Sequence, residues 1–451
     1  MPGEGGDTAG GLFGPIVTTD ELLAATSGRA WVQAMLDAEA ALARAEEDAG
    51  VIPAGSAAMI EGSCDAGSFD IHELASAARL GGNPVIPLVN TLRERVGAPA
   101  GDWVHWGATS QDILDTASML IASRSIAIVD ADLRALCDAC AELSERHRAT
   151  LMVGRTLLQH ALPVTLGLKA AGWLTSATAG WSALKAVRPR LAVELGGGAG
   201  TLASLGDRGI DVLTTMGAGL DLAVPPLPWH ADRTIVAELA GALGMLTGVA
   251  SKISLDVALM MQTEVGEASE PAAVGRGGSS TLPHKRNPVA AAAVSSAHRQ
   301  ASAHVAVLFG AMADEHERGL GGWQSEWETL SALLRLAGGA IANTRETVAG
   351  LEVDAVAMAK NLDLTRGVLL SERVVLALAP TSGWAEATKA VREAASRCQA
   401  SGRGFIDELL DEPVVSAGLS RSDVAGLLDP SGYLGSTDAF IDRALAAYRS
   451  S

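Results

Sequence analysis

Apolar positions recur at helical spacing along most of this chain, and the runs lengthen toward its middle. Thr18-Thr19-Asp20-Glu21 reads as a helix start, and from Trp31 to Ala49 the residues Met35, Ala38, Ala41 and Leu42 share one face with charges on the other. Shorter helices follow to about Arg95. The turn-rich stretch Gly97-Ala98-Pro99-Ala100-Gly101-Asp102 then marks a boundary. Beyond it the pattern predicts five long helices: Ile113 to about Arg148, Val164 to about Val187, Thr234 to about Glu264, Val289 to His316, and Trp327 to about Gly350. A helix of about 30 residues reaches about 45 Å, more than a small domain needs. The third is apolar on several faces, with Ile235, Val236, Leu239, Leu243, Met245, Leu246 and Val249, so packing partners on more than one side, other copies of the chain included, are expected. Around Leu351 to Asp354 the long pattern ends and a smaller helical tail runs to Ser451. The expected fold is all-α: an N-terminal helical domain over 1–97, a central long-helix bundle over 98–350 and a C-terminal helical domain over 351–451. The Gly-rich residues 1–11 read as disordered, and the Gly196 to Gly200 cluster as a connection between helices.

Composition narrows the partners. The net charge is -18 with 34 Lys and Arg among 451 residues, which disfavours nucleic acid and acidic membrane surfaces. Apolar runs are expected to be broken by Gly, Ser and charged residues before membrane length, and no signal peptide is visible. Cys64, Cys137, Cys140 and Cys398 show no short repeated spacing, as expected of reduced thiols in a cytoplasm; Cys137 and Cys140 lie inside a helical run and read as core. No metal set is visible: Glu315-His316-Glu317-Arg318 offers one imidazole and there is no His-Glu-x-x-His.

Three polar segments interrupt the helical background. Gly275 to Pro288 reads Gly-Arg-Gly-Gly-Ser-Ser-Thr-Leu-Pro-His-Lys-Arg-Asn-Pro: glycines free its front, and two prolines forbid regular structure through its back. Asn287 reads as an N-cap with Pro288 at the first helical position, so His284, Lys285 and Arg286 crowd a positive helix end. Either an anion binds there or the basic side chains simply face water. The second segment is His105 to Asp112, where Thr109 with Asp112 forms an acidic capping box that clusters the Thr109 and Ser110 hydroxyls at another helix start, as a cap or as a carboxylate seat. The third is Gly154 to Pro163, where Gln159 and His160 precede a proline in a bend; His160 is either a packing residue or a catalyst. Together they supply a base, an acid and an oxyanion clamp.

These segments carry a resemblance. Gly278 to Pro288 meets the signature Gly-Ser-Ser-x-x-Pro-x-Lys-x-Asn-Pro of the fumarase/aspartase superfamily, and His105 to Asp112 and Gly154 to Pro163 look like its first and second conserved segments. Within that superfamily the chain is most similar to the bacterial 3-carboxy-cis,cis-muconate cycloisomerases, through Leu12-Phe13, Met35 to Leu42, Pro228-Trp229-His230, Glu315 to Arg318, Glu326 to Leu330 and Asn361 to Thr365. The resemblance spans about residue 12 to Gly435. It implies a three-domain fold, a homotetramer whose active sites each draw on three subunits, a di- or tricarboxylate substrate and no cofactor.

It also implies roles. Ser279 matches the family's serine base, with His160 and then His105 as rival proton carriers. Lys285 and Asn287 would bind the charge of an aci-carboxylate, and Thr109, Ser110, Gln159, Ser280 and Arg318 would hold substrate. The implied reaction is lactonisation of 3-carboxymuconate in the β-ketoadipate route of aromatic degradation. The rivals are a fumarate-releasing lyase of the adenylosuccinate, argininosuccinate or nitrosuccinate type, and a helical structural protein without activity, as some lens crystallins are. One departure stands out: the histidine that many relatives place after Arg-Thr is Leu157.

Overall fold

The computed structural model describes residues 11–278 and 281–450. Ser279 and Ser280, and all but the last residue of the expected disordered N-terminus, lie outside the described residues. The chain is all-α apart from two short two-stranded sheets among those residues. The principal elements are α1 (Gly28–Asp48), α2 (Ser110–Arg146), β1 (Leu151–Thr156), β2 (Gln159–Thr165), α3 (Leu166–Val187), α4 (Thr234–Met260), α5 (Val289–Gly310) and α6 (Gly322–Ala349). The five predicted long helices are all present. The fourth stops at Gly310 rather than His316, where the chain turns through Ala311 and Met312.

By internal contacts the chain divides into two compact units, one of Met1–Arg134, Ala179–Lys252 and Ala292–Thr344, the other of Ala135–Thr178, Ile253–Ala291 and Arg345–Ser451. In the first, the Ser27 hydroxyl caps α1 by accepting the Ala30 N–H at 3.2 Å. The apolar face of α1 then buries Met35, Leu36, Ala38, Ala41 and Leu42, and the helix packs on Gly209–Leu220. A small residue sets one close backbone contact. A Cβ at Gly339 of α6 would lie 2.1 Å from the Val17 carbonyl oxygen, so that backbone approach requires glycine.

Within the second unit the Gly154 to Pro163 segment is a β-hairpin, not the expected bend. Leu151 pairs with Thr165, Arg155 with His160 and Thr156 with Gln159, with a register shift between Val153 and Arg155. The short helix Ala355–Asp363 packs on β1. Farther along, Val374, Leu378, Val391, Phe405, Leu409 and Val415 form the core of the C-terminal helices.

Cys137 and Cys140 are buried on α2, and burial pushes the Cys140 thiol up, in keeping with a packing role. One expectation is corrected by α4. By length and composition it could cross a membrane, because its glycines, serines and few charges do not lower its hydropathy enough. Of its most apolar window, 56% is nevertheless buried inside the protein, as for a core helix.

Candidate active site

The polar residues singled out in the sequence fall in both units. In the first, Asp112 is the hub. Lying in the first turn of α2, its carboxylate accepts the N–H groups of Thr109 at 2.8 Å, Gly196 at 2.9 Å and Gly197 at 3.0 Å, and meets His230 Nε2 at 2.6 Å. The glycine cluster is the expected connection between helices, and two of its N–H groups also bind this carboxylate. A Cβ at Gly196 would lie 2.8 Å from His230 Cε1, and Gly197 has φ of +70°, so the loop must be glycine to lie against this ring.

Behind His230 stands Glu194, fully buried. One of its oxygens accepts the Trp229 N–H at 2.6 Å; the other, Oε1, has no hydrogen-bond partner and lies 3.6 Å from His230 Nε2. Burial, with Asp115 and Asp112 nearby, raises the Glu194 carboxyl well above the usual range. The donor atoms of Asp112, Glu194 and His230 lie within 4.8 Å of one another, a spacing that could suit a metal ion. Asp112 already accepts four hydrogen bonds, so protein donors fill that role.

Arg318 is half-buried beside this loop. Its Nε donates to Gln111 Oε1 at 3.0 Å and its Nη2 to the Gly197 carbonyl at 3.3 Å, leaving Nη1 without a protein acceptor among the described residues. Gln111, itself buried, donates to the His230 carbonyl at 2.9 Å and to Asp115 at 3.1 Å. Deeper still, Arg233 is ion-paired with Asp115 and Glu326 and lies over the Trp229 ring. Burial works against its charge, but Asp115 and Glu326 raise its pKa further. His105 sits at φ +61° with Nδ1 2.6 Å from the buried Glu39. Burial opposes a charge on the ring, yet the Glu39 carboxylate outweighs it and the pKa is raised. Thr109 and Ser110 are half-buried at the same helix start.

Turning to the second unit, His160 stands on β2 opposite Arg155, whose guanidinium makes two hydrogen bonds to the buried Glu267, at 2.8 and 2.7 Å. Partial burial and the Arg155 charge lower the His160 pKa beneath 6.5, Glu267 offsetting only part, so the ring is mainly neutral at pH 7. Gln159 is exposed beside it. The tip of this hairpin carries Leu157 and Leu158 at φ +50° and +63°, 96% and 74% exposed.

Along the signature loop, the Asn287 N–H donates to the Gly277 carbonyl at 2.8 Å and Gly278 bridges Arg286. Lys285 is exposed and Asn287 half-buried. The helix start itself departs from expectation: the N–H groups of Ala290 and Ala291 donate to the buried Glu270, at 3.1 and 2.9 Å, so an internal carboxylate fills the positive end of α5. Arg286 is spent on Glu352 and the Glu270 carbonyl. Among the described residues of the loop, Lys285 and the Asn287 side chain are thus not tied up as Arg286 is. The structure brings His105, Thr109, Ser110 and Arg318 into one unit, and Gln159, His160, Lys285 and Asn287 into the other; Ser279 and Ser280 are not described. Sequence reasoning missed Glu194, Glu267 and Glu270, and gave no role to His230. The Pro228-Trp229-His230 motif was the one available signal.

A family model described as a lyase matches residues 15–303, and one described as the adenylosuccinate lyase C-terminus matches 367–444. The chain belongs to the fumarase/aspartase superfamily. It is 45% identical to a 3-carboxy-cis,cis-muconate cycloisomerase of Bradyrhizobium diazoefficiens, over 96% of this chain and 97% of that one. It is also 44% identical to a nitrosuccinate lyase of Streptomyces davaonensis, over 96% and 94%. The crystal structure of the 3-carboxy-cis,cis-muconate lactonizing enzyme of Pseudomonas putida superposes with a TM-score of 0.92, covering 97% of this chain and 99% of that one at 41% identity.

Proposed function

We propose that the protein is a cofactor-independent 3-carboxy-cis,cis-muconate cycloisomerase that works in the cytoplasm as a homotetramer. The observation that carries this reading is likeness over nearly the whole length: sequence and fold match lactonising relatives over 96% and 97% of the chain. In the tetramer, the His105 to Asp112 segment, the hairpin and the signature loop of each site come from three different chains, within a three-domain fold bounded near residues 97 and 350.

In lactonisation a substrate carboxylate oxygen adds to the conjugated double bond. The displaced electron pair moves onto the neighbouring carboxylate as an aci-carboxylate, and the carbon beside that group then takes a proton. Lys285 and Asn287 stabilise the developing charge, each such donor contributing about 3 kcal/mol. Arg318, Thr109, Ser110, Gln159 and Ser280 hold the remaining carboxylates. His160 delivers the proton: mainly neutral in the free enzyme, it regains a proton when the multiply charged substrate binds beside it. Ser279 and then His105 are the competing carriers. A specialised elimination is favoured by one observation, the nearly equal identity to the nitrosuccinate lyase, and by chemistry in which neutral His160 or Ser279 removes a proton.

Incubating purified protein with 3-carboxymuconate and following the loss of diene absorbance tests the proposal. Steady loss of absorbance with formation of the lactone is expected. A silent cuvette, alongside fumarate release from a substituted succinate, overturns it.

A further inference from the structure

Arg318 is held by two acceptors, and both lead to His230, one to its backbone carbonyl and the other to its ring. Gln111 Oε1 accepts from Nε, and the Gln111 amide is in turn fixed by donating to the His230 carbonyl at 2.9 Å. The Gly197 carbonyl accepts from Nη2, and the Gly196 and Gly197 N–H groups are fixed by Asp112, whose Oδ1 meets His230 Nε2 at 2.6 Å. The ring also packs directly on the loop, since a Cβ at Gly196 would collide with Cε1. Glu194 Oε1, buried and without a hydrogen-bond partner, faces the same nitrogen from behind at 3.6 Å. Two carboxyl groups thus flank Nε2, and only Asp112 is within hydrogen-bond reach, so the Nε2–H is directed at Asp112 Oδ1.

We propose that His230 is a positioning residue. Backed by Asp112 and Glu194, it fixes the Arg318 guanidinium so that Nη1 meets a substrate carboxylate. This rests on the reading of Arg318 as a substrate-binding residue. It also gives the Pro228-Trp229-His230 motif a task, although His230 is 3% exposed and out of substrate's reach. A guanidinium fixed in advance binds a carboxylate through Nη1 without first ordering its long side chain.

The test is a double-mutant cycle on KM and kcat with 3-carboxymuconate, or, for whichever substrate is turned over, with that one. His230→Gln is expected to raise KM about ten-fold with kcat changed less than about three-fold, the split that marks lost binding common to ground and transition states. Arg318→Ala is expected to raise KM at least as much, and His230→Gln is expected to add nothing further in the Arg318→Ala background. Should His230→Gln fail to fold, Gly196→Ala presses on the same ring from the loop and is read in the same cycle. A raised KM in Arg318→Ala with a wild-type KM in His230→Gln overturns the proposal alone. Effects of the two substitutions that multiply overturn it too, because His230 would then act independently of Arg318. A wild-type KM in Arg318→Ala overturns the substrate-binding reading of Arg318, and this proposal with it.

Discussion

Arg155 and Glu267 form a two-pronged ion pair, Nη1 to Oε2 at 2.8 Å and Nη2 to Oε1 at 2.7 Å, with the carboxylate wholly buried. Glu267 receives one further bond, from Asn361 Nδ2 at 2.8 Å. Removing the guanidinium leaves a buried charge with a neutral donor only, which costs about 3 kcal/mol. Arg155→Leu is therefore expected to lower the thermal midpoint by several degrees, and Arg155→Lys, which cannot make both bonds, to fall between. A melt of Arg155→Leu that overlays the wild type would show that Asn361 alone satisfies Glu267.

The His160 ring supplies a pH test of which reaction is run. Its pKa in the free protein lies below 6.5, held down by partial burial and Arg155. If His160 delivers a proton in lactonisation, kcat/KM needs the protonated ring and declines as pH rises through that value. If it removes a proton in an elimination, kcat/KM needs the neutral ring and declines as pH falls through it. The expected profile with 3-carboxymuconate is the first. His160→Gln should erase that limb and reduce kcat by about a hundred-fold or more. A limb that survives in His160→Gln assigns the proton to another group, with Ser279 first to be tested by Ser279→Ala.

His105 behaves in the opposite sense. Burial lowers its pKa, but the Glu39 carboxylate more than compensates, so the folded value exceeds the unfolded value near 6.5. The stabilisation from the His105–Glu39 pair is then full below pH 6.5 and is lost as pH rises through the raised folded value. Melting temperature measured from pH 5.5 upward should fall more steeply in the wild type than in Glu39→Gln, where the pair no longer depends on charge. Parallel curves for the two proteins would remove the charge from this contact.

What the sequence disclosed and what it hid follow from range. Helix periodicity is local, so α2 to α6 are legible, although α5 begins at Val289, one residue after the expected Pro288. The hairpin was hidden because its turn, Leu157-Leu158, holds two left-handed residues without the Asn or Gly that announces such a turn, and because β1 and β2 span six and seven residues. The carboxylate filling the start of α5 was hidden because Glu270 lies twenty residues before Ala290, and no local pattern couples them. His230 reaches Asp112 across 118 residues, with the same consequence. Residue types at the site were readable from the motifs, whereas their partners were set by tertiary contacts.

The hinge of the signature loop gives the last prediction. Gly277 has φ of +65°, and a Cβ there would lie 2.6 Å from the Asn287 carbonyl oxygen, while its own carbonyl accepts the Asn287 N–H at 2.8 Å. An L-residue in this conformation costs about 1–2 kcal/mol before any clash is counted. Backbone cannot yield as a side-chain tip can, so Gly277→Ala must push the Asn287 backbone away and carry its side chain out of register with Lys285. Loss of one preorganised donor reduces kcat by about a hundred-fold. Gly277→Ala is thus expected to approach the kcat of Asn287→Ala while its melting temperature falls by a few degrees at most. Gly278, where a Cβ meets nothing within 4 Å, is the control, and Gly278→Ala should keep most of the activity. Equal losses at both positions would mean that loop flexibility, and not the Gly277–Asn287 contact, limits the reaction.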